Sequence, residues 1–74
     1  MNFAKKLSLR ASDVNLEIMV RTGTQLQKHG LYSHTIGQLL AMIADSSLLS
    51  LDGVGTETVK DLHSAIYRFM HNEQ

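Results

Sequence analysis

Cysteine and proline are both absent from this 74-residue chain, aromatic residues make up 5% of it, and its formal charges cancel to zero. Without cysteine there is neither a disulfide framework nor a thiolate zinc site, which fits a reducing cytoplasm. No segment approaches the roughly 20 apolar residues that a membrane-spanning helix needs. The basic N-terminus MNFAKKLSLRA lacks the apolar run of a signal peptide. A cytoplasmic protein that engages no membrane is expected. The zero net charge counts against strong general affinity for nucleic acid. His29, His34, His63 and His71 stand at no metal-type spacing with carboxylates. The chain has no phosphate loop of the G-x-x-x-x-G-K type and no nucleophile beside a placed base, and a domain this small can hardly enclose a substrate. No enzymatic activity, metal, cofactor or small-molecule substrate is expected.

What is present is helical periodicity. At 43% apolar content the chain supports one small core, burying about 60% of the surface its unfolded form exposes. Residues 1–11 carry Lys5, Lys6 and Arg10 without a stable period and read as a flexible basic arm, with Phe3 and Leu7 available for a short helical contact. Residues 12–74 read as a single helical domain. Ser12 and Asp13 are good N-cap types, and Val14, Leu16, Ile18, Met19, Val20 and Leu26 predict a first helix through about Lys28. Leu16, Met19, Val20, Gly23 and Leu26 share one face of that helix, and Gly23 there suggests a close contact or a bend. Gly30 supplies the stop. Leu31 to His34 form a connection with Tyr32 half buried. Thr35 with Gln38 is a capping box, and Ile36, Leu39, Leu40 and Ile43 make the stripe of a second helix. A short third helix follows an N-cap at Asp45 or Ser46 and ends near Ser50. The last runs from about Thr56 to His71, where Val59, Leu62, Ala65, Ile66, Phe69 and Met70 recur at helical spacing. Met19, Met42 and Met70 read as core filler. The fold class is all-α: a compact four-helix domain with an extended N-terminal arm.

The stretch from Leu48 to Leu62, LLSLDGVGTETVKDL, closes two apolar-faced segments on a Gly53-Val54-Gly55 turn. Two glycines so close imply positive φ or the close approach of another group. This pattern resembles the helix-hairpin-helix motif, which implies a phosphate held by the turn's backbone N–H groups and the following helix N-terminus. The physics is general: the first N–H groups of a helix lack internal partners and lie at the positive end of its dipole. A plain helical corner is the alternative. The charges beside the turn are Asp52, Glu57 and Asp61 against Lys60, which favours a protein partner over a phosphate.

A longer likeness runs from about Leu9 to Ile66. VNLEIMVRTGTQL, TIGQLL and LLSLDGVGTETVKDLHSAI, in that order, resemble the C-terminal domain of the bacterial RNA polymerase alpha subunit, apart from a short insertion near Tyr32 to His34. The resemblance implies a four-helix domain that binds the minor groove of A/T-rich DNA and contacts transcription activators. The family's V-R-S arginine corresponds to Arg21 within Val20-Arg21-Thr22. Thr24 and Gly53 stand where the family has asparagines, Glu57 stands where it has lysine, and Thr58 replaces a serine. Exchanging a lysine for Glu57 removes a phosphate contact and adds repulsion.

Charge is unevenly distributed. Residues 1–30 hold Lys5, Lys6, Arg10, Arg21 and Lys28 against Asp13 and Glu17; residues 31–74 hold Lys60 and Arg68 against Asp45, Asp52, Glu57, Asp61 and Glu73. Such polarity suits orientation on a polyanion or on a partner of mixed charge, or is ordinary solvated surface. Two functional readings follow. In one, a small transcription-associated regulator, bacterial or from a mobile element such as a phage, binds A/T-rich DNA weakly through Arg21, Thr24, Lys28, Gly53, Gly55 and Thr58. In the other, Asp52, Glu57 and Asp61 form an acidic face for a protein of the transcription machinery. Arg21 also has a purely local reading, a pair with Glu17 one helical turn away. Self-association through exposed apolar surface is a further option.

Overall fold

The computed structural model describes residues 2–72; Glu73, one of the acids of the C-terminal half, lies outside them. Four α-helices, α1 (Phe3–Ser8), α2 (Val20–Lys28), α3 (Ile36–Ala44) and α4 (Thr56–Met70), are joined through 3-10 turns at Ala11–Asp13, Leu31–Ser33 and Ser47–Ser50. No strand forms among the described residues; Arg10 and Thr35 make an isolated antiparallel bridge. The radius of gyration is 11.4 Å, close to the roughly 11 Å expected of a compact chain this long. Among the described residues no helix is long and apolar enough to cross a membrane.

The N-terminal segment departs from the expected flexible arm. Asn2 caps α1 by accepting from the Lys5 N–H at 2.8 Å. Lys6 is only 5% exposed. Its ammonium donates to the carbonyls of Phe69 and Met70 at 3.1 Å and of Asn72 at 2.5 Å. Those carbonyls lie at the C-terminal end of α4, the negative pole of its dipole, where a cation is favoured. The following residues pair across to the entry of α3: Ile36 N–H donates to Leu9 C=O at 2.8 Å and Ala11 N–H to His34 C=O at 2.9 Å.

The first predicted helix is also shorter than expected. Ser12 and Asp13 lie in a 3-10 turn, residues 15–19 run without helical structure, and α2 begins only at Val20. The reason is a period of two that the apolar content conceals. Val14, Leu16 and Ile18 are half buried while Asn15, Glu17 and Met19 are exposed, so the stretch turns alternate residues inward as extended chain does. The inward face of α2 shifts accordingly: Thr22 and Leu26 are buried, whereas Val20 is 87% exposed and Met19 47%. Gly23 makes room for Tyr32, whose hydroxyl would lie 3.3 Å from a Cβ at that position.

From Gly30 onward local signals and structure agree. Gly30 takes φ +66° and ends α2. The Thr35–Gln38 capping box is present in both directions, at 3.0 and 2.8 Å. The expected third helix is the 3-10 turn Ser47–Ser50, where Asp45 Oδ1 accepts from the Ser47 N–H at 2.9 Å. That hydrogen bond, first among the causes, holds the Asp45 carboxyl below the ordinary carboxylate range. The core gathers Leu26, Leu31, Ile36, Leu39, Leu48, Val54, Leu62 and Ile66 between α2, α3, α4 and the turns.

Candidate functional site

The loop between the Ser47–Ser50 turn and α4 is fixed from inside and from the side. Val54 is its buried anchor, at 9% exposure, and its N–H donates to Leu51 C=O at 3.1 Å. Gly53 adopts φ +81°, and a Cβ there would lie 3.0 Å from Gln25 Oε1. The glycine thus serves both demands at once, a left-handed backbone and the approach of the Gln25 carboxamide. The last turn of α2 clasps the same loop: Lys28 Nζ meets Asp52 Oδ2 at 3.1 Å, and His29 Nε2 donates to the Asp52 carbonyl at 2.8 Å.

Gly55 is the N-cap of α4, extended at φ −110° and without a side chain to cap the helix. The N–H groups of the first turn therefore keep their hydrogen-bonding capacity at the positive end of a 15-residue helix. Arg21, in the first turn of α2, comes alongside. A shallow hollow results, lined by Arg21, Gly53, Gly55, Thr56, Glu57 and Thr58. Four of the residues expected to contact DNA, Arg21, Gly53, Gly55 and Thr58, meet there. Thr58 is 7% exposed. Thr24 and Lys28 do not join them: the Thr24 hydroxyl donates to Val20 C=O at 3.1 Å, and Lys28 is held at Asp52.

The acidic residues divide. Glu57 Oε2 accepts from Arg21 Nη2 at 3.2 Å, with side chains 79% and 62% exposed. Asp52 faces Lys28 at the far end of the loop. Asp61 turns inward, accepting from the Met19 N–H at 2.9 Å and from the Thr22 hydroxyl at 2.6 Å. It supplies from α4 the cap that α2 lacks in its own sequence. Arg21 does not pair with Glu17, because residue 17 precedes α2; Glu17 instead meets Arg68, 3.5 Å from its Nε. The Glu57 partner of Arg21 and the exposure of Met19 and Val20 depart from the helical pattern expected of residues 14–28. The alternation from Val14 to Met19 was the signal for both, since it moves the start of α2 to just before Arg21.

Chemically the hollow is a place for an anionic oxygen. It offers a guanidinium, the amide N–H groups of the first turn of α4 and the open face of Gly55, with one carboxylate already present. Among the described residues no three of histidine, aspartate or glutamate gather to hold a metal ion. Comparisons with family models, curated proteins and solved structures find no match to this chain.

Proposed function

We propose that the chain is a small, non-enzymatic, cytoplasmic, transcription-associated regulator that binds duplex DNA weakly through the Arg21 hollow. On this reading residues 48–62 act as a helix-hairpin-helix motif, in the manner of the RNA polymerase alpha C-terminal domain that the sequence resembles. The observation that carries it is the convergence of Arg21 with the uncapped N-terminus of α4 across two glycines. Guanidinium and amide N–H groups suit a backbone phosphate, and an arginine beside them suits the narrow minor groove of A/T-rich sequence. Affinity is low because Arg21 and Lys28 each have an acid partner at about 3 Å.

Titration of an A/T-rich duplex into isotopically labelled protein at low ionic strength tests this by amide chemical shifts. The largest changes are expected at Arg21 and Gly55 to Thr58, fading as salt is added. Changes centred elsewhere, or none at all, contradict it. A protein-docking role for the acidic loop is the second reading. It draws on Asp52 and Glu57, whose side chains are 91% and 79% exposed, but not on Asp61, which is engaged internally.

A further inference from the structure

We infer that Glu57 is a built-in competitor for the DNA phosphate, so that binding at the hollow is an exchange of one anion for another at Arg21. The inference rests on the DNA-binding reading above. Glu57 stands in the first turn of α4, where a negative charge is favoured by the helix dipole, and its carboxylate accepts from Arg21 Nη2 at 3.2 Å. One side chain thereby answers both anion-attracting features of the hollow. The contact is made for displacement: a single hydrogen bond reaches the guanidinium, and neither side chain is buried. An exposed pair of this kind is weak, whereas a phosphate can engage the guanidinium fork in two-point fashion. A ligand that presents a phosphate in register with the α4 amides displaces Glu57; a diffuse polyanion gains less and still meets the carboxylate. The exchange lowers affinity for every polyanion and favours those that fit.

The test is a double-mutant cycle read by fluorescence anisotropy on a labelled A/T-rich duplex at low salt, using the wild-type chain, Arg21→Ala, Glu57→Gln and the double variant. Glu57→Gln is expected to tighten binding by roughly ten-fold when Arg21 is present and by no more than about two-fold when it is absent, the remainder being plain charge removal. An equal gain in both backgrounds, or no gain, overturns the competitor role and leaves the DNA-binding reading standing if Arg21→Ala still weakens wild-type binding. If none of the proteins binds, or if Arg21→Ala binds as the wild type does, the reading fails and the inference with it. Circular dichroism checks that each variant folds, which the exposure of both side chains favours.

Discussion

Gly53 and Gly55 look interchangeable in sequence, yet the backbone separates them. At φ +81° Gly53 occupies a region that costs other residues about 1 kcal/mol or more, and any Cβ would press on Gln25. Gly55 at φ −110° faces open space, and alanine there loses only the modest advantage glycine has as an N-cap. Gly53→Ala should therefore lower unfolding free energy by about 1–2 kcal/mol and Gly55→Ala by about half as much, measured by urea denaturation. A larger loss at Gly55 would show that the loop geometry is misassigned. The sequence pattern placed a glycine turn at these residues but did not distinguish the strained position from the cap, because φ depends on what the loop must reach. Asp61 shows the same limit: its neighbours in sequence mark it as a surface acid, and only the approach of α2 makes it a cap for Met19 and Thr22.

Among the elements, those specified by nearby residues were legible and those specified across the chain were not. The Thr35–Gln38 box, the Gly30 stop and α4 follow from signals within a few positions of each other. The α1 helix depends on Lys6 reaching carbonyls more than 60 positions away, so its lysine resembled part of a solvated arm. Lys6→Met keeps the apolar stem and removes the charged donor, leaving three carbonyls without that partner. It should lower stability by about 2 kcal/mol and expose the N-terminal segment to proteolysis. Unchanged stability and protease resistance would mean that α1 is held by apolar contact alone. The segment before α2 failed differently: its alternation was local and visible, but the density of apolar residues from Val14 to Val20 mimicked a helix.

Over the whole molecule, the opposite charges of the two halves meet. Arg21 with Glu57, Lys28 with Asp52 and Glu17 with Arg68 each join residues 1–30 to residues 31–74. Arg21 and Lys28, the cations of residues 1–30 nearest the loop before α4, are thus each compensated by an acid of residues 31–74, which weakens the field there. Such a surface is suited to short-range recognition at one hollow and unsuited to tight, unspecific adsorption on nucleic acid. The cations of the N-terminal half are accordingly not a continuous DNA-binding stripe, and Arg21 is the one whose pairing borders free amide groups. Binding of a labelled A/T-rich duplex, followed by anisotropy at low salt for the wild-type chain and Arg21→Ala, tests that claim most directly. Weak, salt-sensitive binding that falls by about ten-fold or more without the guanidinium is expected; equal binding by both proteins, or none by the wild type, would contradict a role for Arg21 in holding DNA.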